Sequence, residues 1–357
     1  MPRFDPEAPF DELPPLPPRE DIETESVLRA CIRASRALGE LRGLVETVPE
    51  QKILLELLPL QESRSSSGIE NILSSRNRLF VAAAGGDESD RFTREILRYN
   101  QALMRYNHAI PDHTALCGIC SIICDQPMDY RRTDDDEVFL VSYANRGTSY
   151  TPPSGSNVGR LMNNLMEYIF TDDETDPLIK MAVMHYQFEA IHPFFDGNGR
   201  TGRILNILYL QYNKLLNEPI LFLSQYIIDR KSEYYRLLRG VTSESAWEPW
   251  IVFMLEGVRE TSLSTIRTIR GIRKLMTETS PKCERLNIPT SAMESIFSNP
   301  FCTISRMQTD VGCSRATAAK YLKAMENEGI LSSERKGRAV VYRNDGLLSL
   351  FRERRRD

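Results

Sequence analysis

The chain has 357 residues, of which 41% are apolar and 26% charged, a composition that is ordinary for a globular protein and excludes fibrous or wholly disordered classes. It contains no run of about 18 apolar residues, and its opening segment lacks the charged start and apolar centre of a signal peptide. We therefore expect a cytoplasmic protein without a membrane partner, whose seven Cys are free thiols.

The net charge of −4 is unevenly distributed. Residues 264–357 hold 18 Lys or Arg against 10 Asp or Glu, a net charge of +8, which leaves −12 for residues 1–263. This difference indicates that the two parts meet different partners, and the basic part is the better candidate for binding nucleic acid.

The N-terminal part is predicted to be an arm followed by helices. Seven Pro in residues 1–20 predict an extended arm over the surface. From residue 21 to about 110, apolar residues recur at three- and four-residue spacings, which predicts helices with breaks at Pro49, Pro59 and Gly85.

The middle of the chain combines one hairpin with further helices. In residues 137–151, β-forming residues flank an Asn-Arg-Gly turn and predict a short hairpin. Helical periodicity returns at Val158, and Asp176 is placed to cap the next helix, with Pro177 at its first position. More helix is predicted to about residue 279, with an end before Pro281.

The C-terminal part has the pattern of a winged helix-turn-helix. In residues 287–345, three helical segments are followed by two strands around a Lys-Gly-Arg turn, and residues 346–357 form a basic tail. Ser314 is a suitable N-cap for the recognition helix. A winged helix used for protein contact or dimerisation is the alternative to DNA binding. The candidate nucleic-acid contacts are Arg315, Thr317, Lys320, Lys323, Lys336 and Arg338.

One stretch, "IHPFFDGNGRTGRIL" at residues 191–205, gathers polar residues and three Gly between two helical segments. Residues 197–202 satisfy G-x-G-x-x-G, but the dinucleotide-binding fingerprint requires a preceding strand, and here a helix precedes. A Gly-rich turn that runs into a helix at about Arg200 leaves several backbone N–H groups aimed at one point. Such a point binds phosphate.

The side chains of this stretch suit phosphate-transfer chemistry. Arg200 and Arg203 share one helix face and can bind an anionic oligophosphate. Asp196 offers a hard carboxylate for Mg²⁺, which also bridges phosphates. His192, with an unperturbed pKa of about 6.5, is the natural base for an attacking hydroxyl.

The segment "HPFFDGNGRTGR", residues 192–203, resembles the H-P-F-x-D-G-N-G-R-x-x-R signature of Fic-domain proteins at all nine fixed positions. The alternative is a loop whose polar residues only cap two helices. The resemblance implies a mostly helical Fic-type domain with a β-hairpin flap, here followed by the winged helix. It also implies transfer of AMP from ATP to a Ser, Thr or Tyr hydroxyl of a protein, with release of pyrophosphate.

Carried over by position, the resemblance implies that His192 is the general base, Asp196 the Mg²⁺ ligand and Phe194 a core residue that fixes the loop. Arg200 would hold the β-phosphate and Arg203 the γ-phosphate. Tyr234, in "IIDRKSEYYRLL", would lie by the adenine, although a Tyr at helical spacing also suits a core. The remaining phosphate-binding candidates are Gly197, Asn198, Gly199, Thr201 and Gly202.

The segment "SSSGIENI" resembles the inhibitory motif of the same family, with Ser66, Glu70 and Asn71 at its fixed positions. In such proteins the Glu pairs with the second Arg of the signature, here Arg203, in competition with the γ-phosphate. The motif lies in a helix predicted at about residues 62–78. A capping box formed by Ser67 and Glu70 is the alternative without a function.

Two further segments, a hairpin and a row of His and Cys residues, each have a functional and a structural interpretation. The hairpin at residues 137–151 occupies the place of the family's flap, which aligns a target segment by strand addition, and a plain surface hairpin is the alternative. His113, Cys117, Cys120 and Cys124 are spaced to share one helix face, which cannot surround a metal tetrahedrally, so we expect a buried stripe.

Together these features divide the chain into an arm at 1–20, an N-terminal helical region at 21–110, a Fic core with following helices at 111–279, and the C-terminal unit. A DNA-binding regulator that only senses nucleotide is the rival function. Another donor, such as UMP or phosphocholine, and removal of AMP also stay open. Self-modification and a homodimer are compatible with the sequence.

Overall fold

The computed structural model describes residues 4–48, 51–84, 90–134, 138, 140–141, 148–336 and 339–351. Within these ranges the chain is mostly helical, with two small antiparallel sheets. None of the helices in the described ranges combines the length and apolar character that crossing a lipid bilayer requires.

Among the described residues, five helices precede the flap, and four of them begin at a Ser, Thr or Asp whose side chain accepts a hydrogen bond from a backbone N–H in the first turn. They are α1 (Glu25–Glu46), α2 (Gln51–Ile69), α3 (Arg76–Ala83), α4 (Arg91–Arg105) and α5 (His113–Cys124).

The flap and the central helices follow. Strands β1 (Leu140–Val141) and β2 (Thr148–Tyr150) pair antiparallel, and the predicted turn between them lies outside the described residues. Next come α6 (Gly155–Phe170), α7 (Pro177–Ile191) and α8 (Asn198–Tyr212). Asp176 caps α7 and Pro177 occupies its first turn, as predicted.

Helices α7 and α8 lie at the centre of the fold, because almost every residue of both is buried. Against them pack α5, α6 and the later helix α11 (Trp247–Arg285), and α9 (Leu223–Asp229) and α10 (Lys231–Glu244) pack in turn on α11. Trp250 of α11 is fully buried, and its Nε1 donates to the carbonyl oxygen of Ala182 in α7 at 2.8 Å. Helix α11 also runs along α1.

The C-terminal unit contains a three-stranded antiparallel sheet in the order β3-β5-β4, an arrangement consistent with the predicted winged helix. Ser314 caps α14, as predicted, whereas β3 was not predicted. The elements are α12 (Thr290–Ser298), β3 (Phe301–Thr303), α13 (Ile304–Val311), α14 (Arg315–Asn327), β4 (Ser332–Lys336), β5 (Ala339–Arg343) and α15 (Asp345–Leu350).

Two predicted helix ends at Pro are wrong. Helix α2 continues through Pro59 and α11 continues through Pro281. An interior Pro costs about 3 kcal/mol, but Leu57, Leu60 and Cys283 near these positions are buried, and we attribute the continuation to this packing.

The predicted surface arm is also more firmly docked than expected. Phe10, Leu13 and Leu16 are buried in the main core, so the arm contributes apolar surface to it. The side-chain amide of Asn164 in α6 both donates to and accepts from the backbone of Leu16, at 3.0 and 2.7 Å. The basic tail predicted from residue 346 is partly helix α15, whose Leu347 is buried, while residues 352–357 lie outside the described residues.

The predicted helix at residues 62–78 is divided in the structure. Helix α2 ends at Ile69, and Glu70 lies in the turn that follows it. The capping-box alternative is therefore wrong, because Ser67 and Glu70 lie at the end of a helix rather than at its beginning. Asn71 adopts a left-handed conformation with φ 61°, and its Oδ1 accepts a hydrogen bond from Lys231 at 3.1 Å.

The C-terminal unit rests on α2 and α3. Arg306 of α13 forms an ion pair with Glu56 of α2 and donates to the carbonyl oxygen of Ala83. Asn299, which is 2% exposed, donates to the carbonyl oxygen of Phe80 in α3 at 3.1 Å. The helix that precedes Glu70 is thus held from outside the central core.

Candidate active site

The loop between α7 and α8 has two left-handed residues at its ends. His192, with φ 49°, caps α7, and Gly197, with φ 79°, caps α8 without a side-chain hydrogen bond. The side-chain amide of Asn198 accepts from the N–H of Phe194 at 2.8 Å and donates to its carbonyl oxygen at 2.7 Å. Phe194 is fully buried, as expected, so the loop is fixed from inside, and the first N–H groups of α8 have no partner within the helix.

Arg200 has unused hydrogen-bonding capacity among the described residues. Its side chain is 5% exposed, and its Nη2 lies 3.5 Å from Oδ1 of the exposed Asp196. Among the described residues, neither Nε nor Nη1 of Arg200 has a hydrogen-bond partner. Buried guanidinium N–H groups are costly to leave unpaired, so this arrangement fits an anionic ligand.

Arg203 is occupied instead. Its Nε donates to Oγ of Ser66 at 2.8 Å, and its Nη2 donates to the carbonyl oxygen of Ser66 at 3.0 Å and to Oε1 of Glu70 at 2.8 Å. Burial lowers the pKa of Arg203, but the Glu70 and Glu189 carboxylates raise it and the net shift is upward. The ion pair expected from the sequence is present.

Gly199 explains why the turn at the start of α8 needs glycine. A Cβ built on Gly199 would collide with the Glu70 carboxylate and lie 3.0 Å from Nη1 of Arg203. Glu70 therefore lies directly over the backbone of the predicted phosphate site.

His192 is held as a neutral imidazole. The residue is half-buried, and burial, followed by the positive charge of Arg131, lowers the pKa of His192 to about 4. At neutral pH the ring is unprotonated and can accept a proton. Arg131 was missed in the sequence because it lies 61 residues earlier, yet its Nε donates to the carbonyl oxygen of His192 at 3.0 Å.

Glu189, one turn before His192 on α7, was also missed. Burial raises the pKa of Glu189 to about 7 despite the nearby Arg203 guanidinium. Its Oε1 has no hydrogen-bond partner in the part of the chain that the structure describes. A Cβ on Gly202 would lie 2.8 Å from this oxygen, so the glycine makes room for it.

The cysteines of α5 support the loop from beneath. The Sγ of Cys120 donates to the carbonyl oxygen of Asp196 at 3.2 Å, and a Cβ on Gly197 would lie 2.9 Å from Sγ of Cys124. His113 Nδ1 lies 3.1 Å from the Tyr130 hydroxyl instead. These residues contribute packing, and Cys117 lies 3.9 Å from a different partner, Asp129.

Tyr234 is buried in the core. It is 2% exposed, and its hydroxyl lies 2.9 Å from Nε2 of His185, against Trp250. These contacts suit a core residue, and the adenine contact stays a prediction. Asn206 lies 3.1 Å from the other ring nitrogen of His185, and burial lowers the pKa of this His to about 3.

The flap is attached to the same loop. The Tyr150 hydroxyl at the end of β2 donates to the carbonyl oxygen of Ala190 in α7 at 2.8 Å.

Residue Thr201, also predicted to bind phosphate, is fully buried, and no hydrogen-bond partner for its hydroxyl is present in the described ranges.

Four of the predicted nucleic-acid contacts lie on α14. Arg315 and Lys320 are exposed on α14. The Thr317 hydroxyl lies 2.9 Å from that of Ser314, and Lys323 pairs with Glu326 at 2.8 Å. Arg338 and the side chain of Lys336 lie outside the described residues.

Three family models match the chain in consecutive segments. The Fic/DOC family N-terminal model matches residues 28–106, and the Fic/DOC family model matches residues 96–210, which include the whole loop described above. The chain belongs to the Fic/DOC family. A third model, "Protein adenylyltransferase SoFic-like, C-terminal domain", matches residues 290–347.

Relatives with curated names match the chain over limited lengths. A probable protein adenylyltransferase of Aquifex aeolicus is 36% identical over 91 residues, which cover 26% of each chain. The protein adenylyltransferase Fic of Drosophila grimshawi is 28% identical over 115 residues, or 31% of this chain and 22% of that one. The chain thus spans about a quarter of the length of these curated relatives.

Solved structures of the family share the fold. A Fic family protein from Desulfovibrio desulfuricans superposes with a TM-score of 0.60 at 20% identity, over 92% of this chain and 98% of that chain. Fic-1 of Caenorhabditis elegans superposes with a TM-score of 0.51 at 18% identity, over 68% and 74% of the two chains. The Fic fold therefore accounts for most of this chain.

Proposed function

We propose that this protein transfers AMP from Mg-ATP to a Ser, Thr or Tyr hydroxyl of a protein, which could be another copy of the chain. The observation that carries the proposal is the buried Arg200, whose unpaired N–H groups adjoin the Gly-rich start of α8. A neutral imidazole at His192 precedes the same loop. Phosphate-binding and proton-accepting groups thus converge on one short segment.

The phosphates of ATP would be held by backbone N–H groups and guanidinium groups. The N–H groups at Asn198 and Gly199 suit the α- and β-phosphates, and Arg200 suits the β-phosphate. The N–H of Gly197 donates to Oδ1 of Asp196 at 2.6 Å and would have to exchange that partner for phosphate. The Asp196 carboxylate is 72% exposed and lies beside Arg200. Its oxygens are ligands of the kind that Mg²⁺ prefers. Mg²⁺ bound there would neutralise phosphate charge.

His192 would accept the proton of the target hydroxyl as its oxygen attacks the α-phosphorus. Bond formation to the target oxygen and cleavage of the bond to the β-phosphate oxygen yield the AMP ester and pyrophosphate. Such a displacement depends on in-line positioning and charge stabilisation more than on covalent help. The flap strand β2 would align the target by strand addition.

The site described here would be inhibited by its own chain. Arg203 must hold the γ-phosphate, but its N–H groups already donate to Ser66 and Glu70. Glu70 also lies over Gly199, where phosphate oxygens would bind. One guanidinium cannot serve both anions at full strength, so Glu70 would keep transfer slow.

The test follows label from α-³²P-ATP with Mg²⁺ into protein, with γ-³²P-ATP as a second donor. We expect α-label that increases about tenfold or more in Glu70→Gly, because a charged hydrogen bond contributes about 1.5–3 kcal/mol. Label should be absent in Glu70→Gly combined with His192→Ala. Glu23→Gly, at an exposed position before α1, is the matched control and should behave as the wild type.

The outcomes separate the rival functions. Label from the γ-position would indicate a kinase, and absence of α-label in Glu70→Gly with ATP still bound would contradict the proposal. Transfer of UMP or phosphocholine from its own donor, and release of AMP from a modified target, can be assayed with the same variants. The phosphate-binding residues do not distinguish the donors, because every such donor presents a diphosphate.

A DNA-binding function is the second candidate, favoured by the exposed Arg315 and Lys320 on α14 and by its exposed N-cap, Ser314. It predicts binding to a specific duplex that weakens steeply with salt. Arg315→Ala combined with Lys320→Ala should weaken binding at low salt. Equal binding of the double variant and the wild type would remove α14 as the recognition helix.

A further inference from the structure

One buried arginine lies between the flap and the catalytic loop. Arg131 is 2% exposed, and its Nη2 donates to the carbonyl oxygens of Pro153, at 3.0 Å, and Ile191, at 3.2 Å. The Nε of Arg131 donates to the carbonyl oxygen of His192 at 3.0 Å, and the backbone N–H of Arg131 donates to the carbonyl oxygen of Pro193 at 2.8 Å. A single residue thus joins the end of α7, the catalytic loop and the segment after β2.

These bonds hold an unfavourable conformation. His192 has φ 49°, a left-handed backbone that costs a non-glycine residue about 1–3 kcal/mol and persists only where the surroundings impose it. Arg131 bonds to the carbonyl before His192 and to that of His192 itself, which fixes both peptide planes. The direction of the imidazole follows from these planes.

We propose that Arg131 is a positioning residue, which fixes the imidazole of His192 relative to the flap by bonding to the carbonyl oxygens of His192 and Pro153 with one guanidinium. The inference rests on the proposed function, in which the flap holds the target and His192 takes its proton. Because the guanidinium is planar and rigid, it sets the distance between these two segments. A displacement of about 1 Å costs about 10²-fold in rate.

The charge of Arg131 also acts on His192, because it lowers the pKa of the imidazole. After burial, it is the main cause of the lowered pKa of His192, while the Glu70 and Asp196 carboxylates and the backbone of Glu189 raise that pKa. These groups come from the segment before the flap, the turn after α2, the loop and α7. Removal of the guanidinium should therefore move the imidazole pKa upward as well as release the loop.

The kinetic test uses Glu70→Gly as the parent. Arg131→Met and Arg131→Lys should lower kcat about 10–100-fold with KM for ATP within about twofold, because the phosphate-binding segment is separate. Lysine should not rescue, since one ammonium does not reproduce the planar fork. Arg132→Met, at the adjacent exposed residue, is the matched control and should retain the parent kcat.

A second measurement does not need activity. NMR titration of labelled His, with His192 assigned through His192→Ala, should give a higher His192 pKa in Arg131→Met than in the parent. An inactive Glu70→Gly parent would refute the proposed function but leave this titration as a test of positioning. Parent-like kcat in both Arg131 variants, or a parent-like His192 titration in Arg131→Met, would overturn the inference. If Arg131→Met fails to fold, Arg131→Lys, which keeps the charge, carries the kinetic test alone.

Discussion

At the scale of single residues, the two arginines of α8 differ in what they bind. Arg203 donates to Ser66 and Glu70, whereas Nε and Nη1 of Arg200 have no partner among the described residues. Arg200 and Arg203, three residues apart on one helix face, were expected to bind phosphate together. In the structure the turn after α2 places Glu70 against Arg203 alone. In the proposed function, Arg200 would bind phosphate while Arg203 would be held by the inhibitory contact.

Arg200→Met should weaken nucleotide binding without loss of stability. Two N–H groups of the buried guanidinium have no partner among the described residues, and replacement by an apolar side chain removes that cost. We expect ATP affinity, measured by calorimetry in the Glu70→Gly background, to fall about 10–100-fold while the melting temperature without nucleotide is unchanged or higher. Arg236→Met, at an exposed residue of α10, is the control; a large fall in melting temperature for Arg200→Met would contradict this view.

The pH dependence of transfer should reflect the lowered pKa of His192. The base acts when neutral, and a pKa of about 4 keeps it neutral well below pH 6.5. The kcat of Glu70→Gly should therefore stay flat from pH 8 to about pH 5.5, over a range in which melting curves show folded protein. An unperturbed His would lose half of its activity by about pH 6.5, and that profile would exclude the expected environment.

The site residues could be predicted to different extents. His192, Asp196 and residues 197–203 are contiguous, so the sequence displays them as a motif. Arg131 and Glu189 act through tertiary contacts and burial, which no local pattern displays. Tyr234 could not be assigned from the sequence, because a Tyr at helical spacing has the same pattern whether it faces a ligand or, as here, a buried His.

At the scale of elements, α2 and the turn after it form the segment that we propose to be inhibitory, called the inhibitory segment below. Ser66 is fully buried and binds Arg203 through both its hydroxyl and its carbonyl oxygen, while Glu70 follows the end of the helix. The helical periodicity of α2 was visible in the sequence, but the bounds of the helix were not. A single sequence does not show that packing carries the helix through Pro59, or that the helix ends at Ile69.

Ser66→Ala should release Arg203 only in part. It removes one of the three hydrogen bonds from α2 and its turn and leaves the Glu70 ion pair, so label incorporation should increase less than in Glu70→Gly. Ser67→Ala is a close control, because Ser67 is also buried and its hydroxyl has no partner among the described residues. Equal rates in Ser66→Ala and Ser67→Ala would remove the hydroxyl of Ser66 from the inhibitory segment.

At the scale of the whole molecule, the C-terminal unit braces the inhibitory segment. Arg306 pairs with Glu56 in the first half of α2, and Asn299 binds the backbone of α3. The element types of this unit were predictable from turn residues and periodicity, but its docking was not, since the contacts join residues about 220 to 250 apart.

Charge reversal at this contact should loosen α2. Arg306→Glu should lower the free energy of unfolding by about 1–3 kcal/mol and raise α-label incorporation in a protein that keeps Glu70. In the Glu70→Gly background the same change should leave the rate unaltered, because the inhibition is already removed. Glu56→Arg combined with Arg306→Glu should recover part of the loss, and an unchanged rate in Arg306→Glu alone would show that the brace has no effect on inhibition.

The docked arm has a consequence for the order in which the chain folds. Asp11 binds Ser154 and Asn157, and Leu16 binds Asn164, across separations of 143 to 148 residues. At about 5–20 residues per second, a ribosome reaches these partners about 7–30 s after it has made the arm. The arm must wait for them, and we expect its contacts to form late, so that they retard unfolding more than they accelerate folding.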